Sequence, residues 1–118
     1  METTRVHQDL IGKSYSDIVS KLKIDEDHGD CCGYASCETT DNVIPEGVDT
    51  ENLVLIDCVH IQYKSEYDSR SVLNFVFTDG IGDLILGYEL SAGSGSGWGY
   101  GAYVTLSYED RELASASW

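Results

Sequence analysis

Thiols and imidazoles are the residues in this chain best equipped for chemistry, and they gather in two places. His28, Cys31, Cys32 and Cys37 fall close together, and Cys58 and His60 follow in a run rich in Val and Ile. Such side chains ligate zinc at about 2.0–2.3 Å. The spacing contains no Cys-x-x-Cys pair, and adjacent Cys31 and Cys32 cannot easily serve one ion. Strand alternation puts Cys58 and His60 on one face. A metal site would therefore be built from Cys32, Cys37, Cys58 and His60, or from Cys31 in place of Cys32. The spacing itself assigns no metal, and a disulfide under oxidising conditions or ordinary thiols fit the same residues. A nucleophilic arrangement has its residue types in Cys32 or Cys37, His28 or His60, and Asp57, but nothing in their spacing selects it. Asp25, Glu26, Asp27 and Asp30 lack the ligand order of an EF-hand loop. No catalytic residue and no cofactor is expected.

The second concentration of signal is Gly93-Ser94-Gly95-Ser96-Gly97-Trp98-Gly99-Tyr100-Gly101. It lacks the Lys-Ser/Thr of a phosphate loop and leads into no helix, so neither nucleotide fingerprint applies. Glycines allow close approach of another molecule to the backbone. Trp98 and Tyr100 offer flat surfaces with polar handles. This composition suits recognition better than bond-making, and functional residues favour loops on rigid scaffolds. The expected contact set is Tyr34, Tyr88, Gly97, Trp98, Gly99, Tyr100 and Tyr103. Eight tyrosines against two phenylalanines fit half-exposed sheet faces.

Charge narrows the partners. The formal net charge is −14, with only seven Lys and Arg. Direct binding to a nucleic-acid backbone is excluded, because that affinity comes from basic side chains neutralising phosphates. Basic proteins and fast electrostatic encounter are favoured. Residues 1–17 show no apolar signal core, and no segment reaches the roughly 20 apolar residues that span a bilayer. The reading is cytoplasmic, with no membrane association.

These residues must be positioned by one domain, expected over residues 1–112, with 113–118 set aside as an added or disordered tail. Residues 16–22 read as a short helix behind a Ser16-Asp17 cap, with a strand over 18–24 as the alternative. Residues 25–37 read as turn, and 38–52 as a long acidic loop. Strands are expected at Leu53–Lys64, Val72–Thr78, Leu84–Leu90 and Ala102–Glu109. Leu73, Phe75 and Phe77 form one apolar row; Val104, Leu106 and Tyr108 form another. The fold class is α+β, mainly β: an antiparallel meander sheet of four to six strands, covered by the N-terminal third. One open edge offers a route to a homo-oligomer by edge pairing.

Three features resemble small uncharacterised accessory proteins of tailed bacteriophages. They are Asp30-Cys31-Cys32, the Phe77-Thr78-Asp79-Gly80 turn, and the glycine/tyrosine-rich hairpin leading into Tyr103–Tyr108. The resemblance implies a compact protein acting in the host cytoplasm against the host or its defences. The expected function is then a non-enzymatic binding protein that inhibits or sequesters a host protein through the aromatic hairpin. Two alternatives stay open. One is a sponge for a nucleotide-derived immune signal, with Arg70, Arg111 or Lys64 on its phosphate. The other is a small zinc-stabilised module.

Overall fold

A computed structural model describes residues 2–29, 33–40, 50–64, 68–94 and 101–118. Eight strands run in chain order: β1 (Glu2–Arg5), β2 (Leu22–Asp27), β3 (Gly33–Thr40), β4 (Val54–Lys64), β5 (Asp68–Thr78), β6 (Asp83–Ser94), β7 (Tyr103–Tyr108) and β8 (Arg111–Ser117). A 3-10 turn (Gln8–Leu10) and one helix, α1 (Tyr15–Lys21), lie between β1 and β2. The strands form a five-stranded sheet in the order β1-β4-β5-β6-β3 and a three-stranded sheet in the order β2-β7-β8. Every ladder is antiparallel, so the molecule is mainly β with one short helix.

Alternation on the central strands creates the core. Leu73, Phe75 and Phe77 of β5 are fully buried between Cys58 and Leu55 of β4 and Tyr88, Leu86 and Leu84 of β6. Leu55 and Cys58 both point inward, although a regular strand would send residues three apart to opposite faces. A bulge between Leu55 and Asp57 inserts the residue that restores the phase. The opposing layer supplies Val104, Leu106 and Tyr108 from β7 and Leu113, Ala114 and Ala116 from β8. The two small alanines suit a close crossing, where β8 passes over β5 and β6.

Helix α1 closes one end. Ser14 caps it by accepting from the Asp17 amide at 3.1 Å. Ile18 is wholly buried, and the Tyr15 ring meets Phe77 edge-on at 5.2 Å. Tyr108 donates to Asp17 at 2.6 Å, and Lys21 Nζ lies 2.7 Å from Asp17 and 3.1 Å from Glu109. These contacts tie the helix to the turn between β7 and β8.

The structure departs from the sequence reading in four places. Residues 25–27 and 33–37 are strand rather than turn, and 38–40 extend β3; residues 41–49 lie outside the described set. Both readings of residues 16–24 hold in part: α1 ends at Lys21 and β2 starts at Leu22, running on through Asp27 where exposed side chains leave no apolar row to read. The meander runs through β4, β5 and β6 only; β7 crosses to the second sheet. Cover for the large sheet comes from β7 and β8 as well as from α1. Residues 113–118, set aside as a tail, instead belong to β8 and its end, with Leu113, Ala114 and Ala116 buried. Trp118 packs against the core and exchanges backbone hydrogen bonds with Gly101 and Ala102.

The expected open edge is also modified. The outer-edge amides of Ala35 and Cys37 in β3 are met by the His28 ring at 3.4 Å and the Glu26 carboxylate at 3.1 Å. Side chains from the neighbouring layer thus occupy donors that another strand would need. The opposite edge, β1, is only four residues long.

Candidate functional site

Gly97, Trp98, Gly99 and Tyr100 lie outside the described residues, as do Cys31 and Cys32. The other sequence-predicted contacts separate. Tyr34 is exposed on the outer face of the five-stranded sheet, on β3. Tyr103 is exposed on β7 of the other sheet, so it faces the opposite side of the molecule. Both stand at the end where residues 95–100 join β6 to β7. Tyr88 does not belong to a binding surface: it is 8 % exposed, and its ring packs edge-on to Phe75 at 6.1 Å. It shares the inward row of β6 with Leu86 and Leu90, which the alternation dictates.

Around Tyr34 the register assembles a polar groove that sequence reasoning missed. Tyr34, Ser36 and Glu38 alternate on the outer face of β3. Opposite them on β6 stand Gly93, Ser91 and Glu89, and beyond those on β5 stand Asp68, Arg70 and Val72. Tyr34, Ser36, Glu38, Arg70, Glu89 and Ser91 line a groove of about 300 Å³. Gly93, having no side chain, leaves room for the Tyr34 hydroxyl to reach across and donate to Asp68 at 3.4 Å. Arg70 Nε donates to the same carboxylate at 3.1 Å, and its Nη1 lies 3.6 Å from Glu89. Partial burial and the Asp68 charge push the Tyr34 phenol above its usual range, while Asp68 holds Arg70 firmly charged. Glu38 and Glu89 are direct cross-strand partners, a like-charge juxtaposition that costs stability in a sheet. The signal was present as a two-residue polar period at 34, 36 and 38. It was hidden because the segment reads as turn.

A second groove, of about 410 Å³, lies beside Asp9, Lys13, Tyr108, Glu109, Asp110 and Arg111. Its polar groups serve the fold. Arg111 grips Asp9 through both terminal nitrogens, and one of these also meets His7 Nδ1 at 2.9 Å. A guanidinium only donates, so His7 Nδ1 accepts there and Nε2 carries the proton toward the Leu113 carbonyl at 2.7 Å. Lys13 and Lys21 lie 5.9 and 5.7 Å from the Tyr108 ring centre. Two of the three cations proposed for a phosphate are thus already engaged, Arg70 with Asp68 and Glu89 and Arg111 with Asp9.

Among the described residues, the thiol and imidazole candidates do not converge. Cys58 and His60 share the inner face of β4, as alternation predicts, and Cys37 shares that face from β3. Cys37 is three strands away, however, and four residues out of step with Cys58, which at about 4.8 Å per strand and 3.4 Å per residue separates them by roughly 20 Å. Among the described residues, no group of three or more His, Cys, Asp or Glu could hold a metal ion. Burial pushes the Cys37 thiol up to about 11 and the Cys58 thiol up to about 12, so both rest protonated at neutral pH. Asp57 faces outward, accepting from the Cys58 amide at 2.9 Å and pairing with Arg5 at 3.4 Å, and so it cannot orient His60. His60 Nε2 instead hydrogen-bonds the Ser71 hydroxyl. These are the residue types of a nucleophile and its base, but Ser71 is 1 % exposed and sealed from any substrate. Burial holds His60 below its usual value, which keeps the ring neutral.

Comparison of the chain with protein-family models, curated proteins and solved structures gives no match. Among the described residues, no helix is long and apolar enough to cross a membrane.

Proposed function

We propose that this chain is a non-enzymatic binding module that takes a basic protein partner in the groove around Tyr34, Glu38, Arg70 and Glu89. The observation carrying this reading is the opposition of Glu38 and Glu89 across β3 and β6. Arg70 is held mainly by Asp68 and reaches Glu89 at 3.6 Å, so it relieves the repulsion of the two carboxylates only in part, and an arriving Lys or Arg completes the neutralisation. Tyr34 supplies an aromatic wall for the same cation. The net charge of −14 draws basic surfaces in from a distance. Trp98 and Tyr100, which follow β6 in the sequence and lie outside the described residues, are the proposed aromatic anchors. The protonated thiols and the sealed Ser71 support binding over catalysis. A host defence factor as the target rests on the resemblance to phage accessory proteins alone.

Titration calorimetry with a hexa-arginine peptide tests the groove. The double variant Glu38→Gln/Glu89→Gln should weaken binding by about tenfold, some 1.4 kcal/mol. A charge-matched control, Asp110→Asn/Glu112→Gln, should change it by less than about twofold, as expected for solvated surface charges. Equal losses in both variants would mean that diffuse charge, and not the groove, holds the peptide.

A further inference from the structure

Among the described residues, Arg70 is the one cation lining the groove around Tyr34. The register sets its surroundings. Level with it stand Ser91 on β6 and Ser36 on β3, two short side chains that leave a slot across the sheet. On one side of that slot lies the row of Asp68, Gly93 and Tyr34; on the other lies the row of Val72, Glu89 and Glu38. The guanidinium reaches both rows but grips them unequally. Its Nε donates to an Asp68 oxygen at 3.1 Å, and the Tyr34 hydroxyl donates to the same oxygen at 3.4 Å. The Asp68 side chain is 16 % exposed, so solvent screens this pair little. Nη1 lies 3.6 Å from Glu89, beyond hydrogen-bond length, on a side chain 33 % exposed. Arg70 is thus fixed at Nε and loosely held at its tip.

We infer, resting on the groove reading above, that Arg70 is a resident competitor: its guanidinium holds part of the acidic set that an arginine of the protein partner takes on docking. Residues directly opposed on neighbouring strands have Cβ atoms about 5 Å apart, which brings the Glu38 and Glu89 carboxylates within the span of one planar guanidinium fork. A lysine ammonium is a point charge and lacks that fork. An incoming guanidinium that bridges Glu38 and Glu89 sets a second positive charge against the tip of Arg70. Like charges at that range repel, so the long Nη1 contact opens while the Nε bond to Asp68 persists. The pair given up is solvent-exposed and worth little on its own, so Arg70 raises the threshold for binding without closing the groove. Selectivity follows from the same arrangement. A cation that meets only Glu89 replaces one partner with another and gains little. An arginine that also covers Glu38 gains a carboxylate outside the Arg70 ion pairs.

Titration calorimetry with the hexa-arginine peptide tests this, each variant being checked first by circular dichroism. Arg70→Gln should tighten binding by about threefold, the size of an exposed ion pair. Arg5→Gln removes the same charge from the remote pair with Asp57 and should tighten binding by less than about 1.5-fold. Arg70→Lys keeps the net charge of −14 but cannot hold Asp68 and Glu89 together, so it should tighten binding by about twofold. In a Glu89→Gln background, Arg70→Gln should gain less than about 1.5-fold, because the contested carboxylate is gone. Unchanged or weaker binding by Arg70→Gln would overturn the inference, since Arg70 would then be neutral or itself a contact. Equal gains in Arg70→Gln and Arg5→Gln would overturn it by assigning the effect to net charge. So would a gain that survives in full with Glu89→Gln. The two readings fail separately. If Glu38→Gln/Glu89→Gln weakens binding while Arg70→Gln does not strengthen it, the groove stands and the competitor falls. If Glu38→Gln/Glu89→Gln matches its charge-matched control, both fall.

Discussion

Gly33 lies directly beneath the backbone carbonyl of His28: a Cβ at Gly33 would stand 2.2 Å from that oxygen and 3.4 Å from the Ala102 Cβ. This contact closes the seam between the two sheets, at the place where β2 gives way to β3 and β7 begins. It also aims the start of β3, and with it Tyr34. Gly33→Ala should therefore move backbone, since neither neighbour is a flexible side-chain tip. The expected cost is about 1–3 kcal/mol, the usual range for overpacking a tight site. Urea unfolding followed by circular dichroism would read it as a lowered midpoint, and an unchanged midpoint would show that the seam has slack.

The Cys37 and Cys58 thiols should be unreactive in the native state. Cys58 is wholly buried with its thiol pushed up to about 12, and half-buried Cys37 is raised to about 11. The thiolate is the attacking form, so alkylation by iodoacetamide near pH 8 should be slow at Cys37. At Cys58 it should track global unfolding. Peptide mapping by mass spectrometry separates the two. Rapid native labelling of Cys58 would contradict the packing of β4 against β5.

Acid should destabilise the fold in two separate steps. Burial holds His60 below its usual value of 6.5. The unfolded chain therefore takes up a proton before the folded one does. The stability contributed by neutral His60 is full above 6.5 and falls as pH drops through the lower folded value. Asp9 and Asp17 are held below 3.8, chiefly by hydrogen bonds from Arg111 and Lys21, so their contribution persists to lower pH and is lost only beneath 3.8. Urea midpoints measured against pH should show both windows. His60→Gln should flatten the upper one and leave the lower, whereas an unchanged upper slope would assign it to another group.

The parts of the fold legible in the sequence are those where burial imposes a period. Leu73, Phe75 and Phe77 announce β5, and Val104, Leu106 and Tyr108 announce β7, because each row must face a core. Strand β8 was illegible for a physical reason. Ala114 and Ala116 look like linker residues, yet small side chains are what a close sheet crossing requires. The groove was half legible. The alternation of Tyr34, Ser36 and Glu38 is local, but their meeting with Glu89 and Arg70 depends on the register of three strands distant in sequence. Polar rows on an outer face carry no hydrophobic period to betray that register. The sequence spacing assigned no metal to the cysteines, and it could not show how far apart Cys37 and Cys58 stand, because that depends on β3 and β4 lying on opposite sides of β5 and β6.

Amide chemical-shift mapping tests most directly where the chain binds. A uniformly nitrogen-15-labelled sample would be titrated with the hexa-arginine peptide and followed by heteronuclear correlation spectra. The account predicts that the largest shifts fall on Tyr34, Ser36, Glu38, Arg70, Glu89 and Ser91. Shifts centred instead on Asp9, Glu109 and Asp110, or spread evenly over the acidic surface, would contradict it.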